Sequence, residues 1–342
     1  MKIGIVGAGY AGLSLALALL EKDPLLNISV YHQYPIDESA SYISTGLLYP
    51  FVGKYTKKNW KADEGMEMAK RLLTISEKAL NEKVYLDTGI LKVCYKSFQE
   101  NNCQRIARRY PENSWNTDST FFHKEISSPS LFIPEGGTVF SDLYIRGLIK
   151  ACQKKGVSFF QKEINTTKQL VVYDQIILCA GAGLLDFEEA KDLPIERIKG
   201  QALILKWPEN LPKLKMSLTS ESHITLCKDS EYCKIGSTYE RDFETDDPDE
   251  YSHDLIEKVA HFFPKIRDFS IVKTKAAVRL SRIGSYVPIV SHLQKNVWVY
   301  GALGSRGLLY HGYLSELLAG AILEKRPLLD KVSIYEKPFL GR

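Results

Sequence analysis

The hydrophobic pattern changes period several times along the chain. Residues 2–6 (KIGIV) form a short β-branched run, residues 7–12 (GAGYAG) a glycine turn, and residues 13–20 (LSLALALL) an apolar helical stretch. A second strand-like run follows at Ile28–Tyr31. From Asp63 to Ala79 apolar or small residues recur at helical spacing, at Met66, Ala69, Leu72, Leu73, Ser76 and Ala79, which predicts an amphipathic helix. Strand-like pieces occur at Gly89–Tyr95 and Leu131–Ile133, and between them RIARRY at Arg105–Tyr110 reads as a basic patch on a short helix. The stretch from Ser141 predicts a helix capped by Ser141 or Asp142 and ended at Gly156, with a strand after it. Gln175–Cys179 is a buried strand that runs into a turn of small residues at Ala180–Gly183. Gly200–Tyr239 carries alternating, β-rich pieces (QALILKW, HITLCK, YCKIGSTY), the pattern of an antiparallel sheet. A helix over Tyr251–Phe263 stops before Pro264. The last hundred residues return to the opening style, with a strand, a glycine-rich turn and a long apolar helix in VWVYGALGSRGLLYHGYLSELLAGAIL. Strand, glycine turn and helix thus open the chain and part of that pattern returns late, which predicts one parallel-sheet domain assembled from separated segments.

The opening motif carries chemistry. In a strand–turn–helix–strand unit of about 30 residues, G-x-G-x-x-G is a dinucleotide fingerprint. Gly7 permits the tight turn, Gly9 lets the backbone approach a pyrophosphate, and Gly12 lets the helix pack close to the strand. The helix N-terminus supplies amide donors and a positive dipole end. The acidic residue that usually holds the ribose hydroxyls is missing, and His32 stands in its place; an imidazole accepts such a bond more weakly than a carboxylate.

Composition narrows the rest. The 342 residues suit two domains, and 44% hydrophobic with 25% charged residues are the proportions of a globular protein. The net charge of +4, from 45 basic and 41 acidic residues, permits nucleic-acid binding without arguing for it. The six cysteines show neither C-x-x-C nor zinc-ribbon spacing and read as reduced thiols of a cytoplasmic protein, with no metal site. The glycine turn interrupts the apolar N-terminus where a signal peptide would be continuous, and no stretch is long enough to predict a membrane span.

Several positions admit two readings. Ser44, Thr45 and Gly46 offer hydroxyls and an amide to a bound dinucleotide, or form a polar turn. Lys54, Lys57, Lys58 and Lys61 with Tyr55 and Trp60 offer nucleic-acid contact, or are a solvated face. His223, His253 and His261 read as surface or satisfied core histidines. His311 points at the ligand or into its helix packing, and Arg306 faces the cofactor or a nucleic acid. The acidic run at Glu240–Glu250 lacks the glycine and ligand spacing of an EF-hand and reads as a solvated loop.

Taken together, GAGYAG, STGLLYP, ILCAGAG, IKGQ (Ile198–Gln201), AAVRLSRIGSYVPIV and VYGALGSRGL resemble the D-amino-acid-oxidase superfamily of flavoproteins. GALGSRGL, with GLLYP, IPEGG and IGSTYERD, is similar to the FAD-dependent domain of the enzymes that modify the tRNA wobble uridine. The resemblance implies an α/β fold, α+β overall. A doubly wound, Rossmann-like FAD-binding domain (1–50, 135–195 and 276–342) interleaves with an antiparallel-sheet substrate domain (51–134 and 196–275). It implies FAD held by Gly7, Ala8, Gly9, Tyr10, Ala11, Gly12, His32, Ser44, Thr45, Gly46, Ile164, Ala180, Gly181, Gly304, Ser305, Arg306, Gly307 and Leu308. The helix N-terminus after the late glycine turn would stabilise negative charge on a reduced ring.

Superfamily substrates contain an N–CH2–COO⁻ unit, oxidised to an imine that water hydrolyses to an amine and glyoxylate. The implied carboxylate clamp is Arg279, whose planar fork suits bidentate recognition, with Arg282 as competitor and a structural ion-pair role for both as the alternative. The cofactor performs the difficult step, so no acid–base or nucleophile triad is expected. The expected activity is amine oxidation on carboxymethylaminomethyl-uridine in tRNA. Oxidation of a free glycine, sarcosine or D-amino acid is the first alternative, and a non-catalytic flavin-binding or electron-relay role the second.

Overall fold

The computed structural model describes residues 1–33, 35–53 and 56–334; Lys54 and Tyr55 of the basic loop lie outside the described residues. The opening run forms strand Lys2–Val6 near the middle of a six-stranded sheet. Gln175–Leu178 flanks it on one side and Asn27–His32 on the other, both parallel. Val297–Gly301 and Ser158–Gln161 continue the parallel order outward, and the antiparallel strand Ile289–Gln294 closes one edge. Ile3, Gly4, Ile5 and Val6 are all buried, which is why the strand reads as a continuous apolar run without alternation.

Helix Tyr10–Lys22 is buried on every side from Tyr10 to Leu20, as its unbroken apolar sequence requires. It shares one core with helices Ala62–Leu80, Ser141–Lys154 and Gly307–Glu324. Each fully buried leucine there, such as Leu13, Leu15 or Leu19, contributes roughly 1.5–3 kcal/mol. The helix around Met66 and Leu72 was expected on the substrate side; its apolar face instead completes this nucleotide-side core. Ser141 was expected as a cap, but it is the first helical residue. Phe140 holds the cap position, and the Ser141 hydroxyl is buried without a partner.

The second sheet has eight strands, in the order Ser270–Arg282, Ile195–Lys206, Tyr232–Gly236, His223–Leu226, Ser217–Thr219, Ile90–Val93, Ser130–Ile133 and Ser114–Asn116. It is antiparallel except where Ile90–Val93 meets Ser217–Thr219. Ser270–Arg282 pairs with Ile195–Lys206 from end to end, placing Arg279 opposite Ile198. Residues 276–282, expected with the nucleotide domain, therefore belong by pairing to this larger sheet. A separate core beneath it includes Trp207, Phe263 and Phe269. The helix expected over Tyr251–Phe263 is shorter: a 3-10 turn, Glu250–His253, leads into helix Asp254–Ala260. A three-stranded sheet of Leu47–Leu48, Gly137–Val139 and Tyr85–Leu86 was not expected, because strands of two or three residues carry no readable period.

Candidate active site

A cavity of about 1500 Å³ is lined by residues of both large sheets. Small-ligand pockets span roughly 300–1,000 Å³, so this one has room for a dinucleotide together with a substrate. One end is built by backbone. Gly7 has φ +115°, and a Cβ there would lie 2.1 Å from the Cys179 carbonyl oxygen. A Cβ on Gly12 would lie 1.9 Å from the Gly7 oxygen, so this glycine seats the helix on the strand turn and does not itself line the cavity. Gly9 differs, since its added Cβ would meet only Ser41 Oγ closely, at 2.9 Å, on a face that borders the cavity. The N-cap of helix Tyr10–Lys22 is Gly9, which has no side chain to cap it; the first turn carries no acid, and the Tyr10 amide donates to Ser41 Oγ at 3.1 Å. Its N-terminus, with Gly7, Ala8, Gly9, Tyr10 and Ala11, lines the cavity. This is a cradle of the kind a pyrophosphate occupies, and the residues fit FAD.

His32, Ile164, Ala180 and Gly181 line the same end. Gly304, Ser305, Gly307 and Leu308 bring a second helix N-terminus, again without a side-chain cap, to the wall. Ser44 and Thr45 also line the cavity, whereas Gly46 packs against the Val139 carbonyl away from it and donates its amide to Ser44 Oγ at 3.3 Å. Arg306 is not among the lining residues. Its Nε donates to Asn59 Oδ1 at 2.6 Å and its Nη2 to the Val52 carbonyl at 3.2 Å, which ties the late turn to the basic loop.

The other end is built by charged side chains. Arg279 Nη1 donates to Ser237 Oγ at 3.2 Å and Nη2 to the Thr238 carbonyl at 3.1 Å, while Nε is buried without a partner. Glu240, the acid that acts on it electrostatically, accepts from Gln201 and forms no ion pair with Arg279 among the described residues. Desolvation pulls the guanidinium pKa down, partly offset by Tyr239 and Glu240. A Cβ on Gly200 would lie 2.7 Å from Arg279 Nη1, so the glycine of IKGQ makes room for the guanidinium. The flanking Lys199 and Gln201 hold the loop that carries Arg279's partners: Lys199 Nζ donates to Asp249 at 2.6 Å, and Gln201 donates to Glu240 and Asp249. Arg282, the competing candidate, faces away and donates to the carbonyls of Lys331 and Ser333.

Two residues at this end were not anticipated as functional. His223 was expected to be a surface or core residue; it lines the cavity, with Nε2 2.7 Å from Thr45 Oγ1. Burial, with Arg279 and Lys92 nearby, pushes its pKa down to about 3, so the ring is neutral. Lys92 is a buried cation on the same wall. A lysine inside an otherwise apolar four-residue strand was the available signal.

His311 resolves to the packing role. Its Nδ1 lies 3.1 and 3.0 Å from the Gly307 and Leu308 carbonyls, which places the proton there and leaves Nε2 to accept from the Tyr144 hydroxyl at 2.5 Å. Burial pushes its pKa down to about 4. His261 stacks on Tyr95 with ring centroids 5.3 Å apart, and His253 is exposed. Among the described residues no cluster of three or more His, Cys, Asp or Glu is placed to hold a metal ion, and no helix is long and apolar enough to cross a membrane.

A parallel-sheet dinucleotide cradle joined to an arginine-bearing, mostly antiparallel sheet defines a flavoprotein oxidoreductase. The chain belongs to the FAD dependent oxidoreductase (DAO) family, whose sequence profile matches residues 2–321, and it is FAD-dependent. Over 267 residues it is 23% identical to the tRNA 5-methylaminomethyl-2-thiouridine biosynthesis bifunctional protein MnmC of Haemophilus ducreyi, covering 70% of this chain and 39% of that protein. The protein of the same name from Methylobacillus flagellatus is 24% identical over 311 residues, 84% of this chain and 47% of that protein. The chain thus spans less than half the length of these two relatives. Its fold is similar to glycine oxidase from Geobacillus kaustophilus, with a TM-score of 0.85 at 15% identity over 98% of this chain and 99% of that one. It is also similar to iminodiacetate oxidase from Chelativorans sp. BNC1, with a TM-score of 0.76 at 16% identity over 99% and 97%.

Proposed function

We propose that this protein oxidises a secondary amine of N–CH2–COO⁻ type carried on a tRNA uridine, releasing glyoxylate and leaving the primary amine on the RNA. The observation that carries the reading is Arg279, a guanidinium at the cavity wall with a buried, unpartnered Nε and no ion pair among the described residues. A substrate carboxylate supplies the missing anion, and a guanidinium binds it through two parallel hydrogen bonds. Ser237 and the Thr238 carbonyl hold the plane of the fork, so little ordering remains to be done on binding. FAD, which Gly7, Ala8, Gly9, Tyr10 and Ala11 would hold, would supply the two-electron acceptor for the electron pair and hydrogen lost from the substrate carbon. Arg279 and Lys92 favour the neutral amine over the ammonium by like-charge repulsion, and neutrality at nitrogen is what oxidation requires. His223, neutral and held by Thr45, offers a polar wall without adding a charge. Water then attacks the imine carbon, and cleavage of the C–N bond gives the amine and glyoxylate.

The two MnmC relatives, named for tRNA 5-methylaminomethyl-2-thiouridine biosynthesis, support the RNA-borne substrate. The test is to incubate the FAD-loaded chain with tRNA bearing carboxymethylaminomethyl-uridine and, separately, with free N-methylglycine. Glyoxylate is quantified, and the tRNA nucleosides are weighed by mass spectrometry. Loss of the carboxymethyl mass from tRNA is expected. Turnover of the free amino acid with unchanged tRNA would overturn the RNA reading and leave a small-molecule oxidase.

A further inference from the structure

Large aromatic side chains are normally withdrawn from water, yet Tyr239 is 49% and Tyr286 70% exposed. Tyr239 belongs to the loop that builds the substrate end, while Tyr286 lies outside the cavity lining, in the turn beyond the strand of Arg279. Tyr239 lines the cavity and directly follows Thr238, whose carbonyl holds Arg279. Each ring is braced by guanidinium groups. The Arg306 carbon lies 4.2 Å from the Tyr286 centroid, and those of Arg241 and Arg279 lie 5.3 and 5.5 Å from the Tyr239 centroid. These arginines are themselves fixed, Arg306 by Asn59 and the Val52 carbonyl, Arg241 by two bonds to Glu196. Arg306 also lies within electrostatic range of Tyr239, and Arg241 within range of Tyr286, so the two rings border one region.

We propose that Tyr286, with Tyr239 at its border, is a stacking platform at the mouth of the cavity for the unpaired base that carries the substrate amine. This inference rests on the RNA-borne reading above and assigns its base-recognition residues. A free N-substituted glycine satisfied by Arg279 has no atoms to place against these rings. A carboxymethylaminomethyl-uracil does, because only four bonds separate the carboxyl carbon from the pyrimidine ring, and Tyr239 is the ring beside Arg279. Proteins hold single-stranded bases by stacking them on rigid aromatic side chains, and arginines behind the rings suit a phosphate-bearing strand. Rings fixed from behind lose little freedom on binding, which makes stacking effective.

The experiment compares kcat/KM of the FAD-loaded wild type, Tyr286→Ala and Tyr286→Phe on two substrates. One is a tRNA anticodon stem-loop bearing carboxymethylaminomethyl-uridine, and the other is free N-methylglycine. Flavin absorbance and melting temperature establish that each variant is folded and loaded. Stacking is worth enough per base that Tyr286→Ala should lose roughly tenfold or more on the RNA relative to the free amino acid, and Tyr286→Phe should restore most of it. Equal losses on both substrates, or no loss on the RNA, would overturn the platform while leaving the RNA reading intact. A wild type inactive on the stem-loop but active on N-methylglycine would overturn the RNA reading first and the platform with it.

Discussion

The two ends of the cavity are made by different means. At the nucleotide end, residues 7–11 lie next to one another in sequence and work through their backbone, with glycines where a side chain would collide. At the substrate end, Lys92, His223, Gly200 and Arg279 come from four strands far apart in the chain and meet only because the large sheet pairs those strands. A backbone cradle fails when anything is added to it, whereas a charged wall fails when something is taken away. The two ends therefore predict separable phenotypes.

The largest effect is expected at the nucleotide end. In Gly9→Val the new side chain starts against Ser41 Oγ and projects into the pyrophosphate cradle, so FAD binding is abolished. Flavin released on denaturing the purified protein measures this, and a normal FAD content would remove Gly9 from the cradle. Arg279→Ala tests the opposite end. It leaves a buried substrate carboxylate unpaired, a loss on the order of 3–5 kcal/mol, or roughly a hundredfold to a few thousandfold in kcat/KM. Arg279→Lys recovers only part, since a point charge cannot replace a fork. FAD content and melting temperature should hold in both variants, because Arg279 has no ion partner to lose among the described residues. If flavin is lost along with activity, the two ends are not separable.

Acid provides a graded version of the same comparison. His311 is buried beside Tyr10, the first residue of the fingerprint helix, with ring centroids 5.3 Å apart. Its pKa is about 4 folded against 6.5 unfolded, so the fold favours the neutral ring. The stabilisation is complete above the unfolded value and is lost as pH falls from about 6.5 toward about 4, in total about 3 kcal/mol at 1.36 kcal/mol per unit. His223 follows the same sign at the substrate end but titrates lower, at about 3. Thermal midpoints recorded between pH 7 and pH 4 should fall for the wild type and fall less steeply for His311→Gln, with His223 supplying the slope that remains. FAD release should accompany the fall, since the strained packing adjoins the cradle. A midpoint independent of pH over that range would contradict the assigned burial.

What the sequence disclosed follows the same division. GAGYAG could be read because strand, turn and helix are consecutive, so local spacing alone specified the cradle. The long helices were readable because their apolar faces recur within one window, although which core Ala62–Leu80 joins depends on partners remote in sequence. Lys92 and His223 were missed for the converse reason. Each stands alone in a short strand, and only the pairing of Ile90–Val93 with Ser217–Thr219, and of His223–Leu226 with its neighbours, turns them toward Arg279. Arg279 and Arg282 were indistinguishable by spacing, and their separation came from what each side chain touches. Gly46, offered as a cofactor contact, is not among the cavity-lining residues, and a Cβ there would meet the Val139 carbonyl.

The smallest effect concerns the basic loop, and the described residues divide its lysines. Lys58 pairs with Asp63 at 2.6 Å and lies 4.9 Å from the Tyr110 ring centroid, and Lys61 pairs with Glu64 at 2.6 Å. Lys57 is exposed and has no ion pair among the described residues. A cation already neutralised by a carboxylate releases fewer counterions when it meets a phosphate, so the three positions should not contribute equally to RNA binding. If tRNA is the ligand, Lys57→Ala should flatten the log–log salt dependence of affinity by roughly 0.7–0.9, the share of one phosphate contact. Lys58→Ala and Lys61→Ala should each change it less, and neither should alter stability appreciably, because exposed ion pairs contribute little. Binding titrations across a range of salt concentrations read the slopes directly. Three equal slope changes would mean that the carboxylates yield to the RNA, and an unchanged slope in all three would assign this loop to an ordinary solvated face.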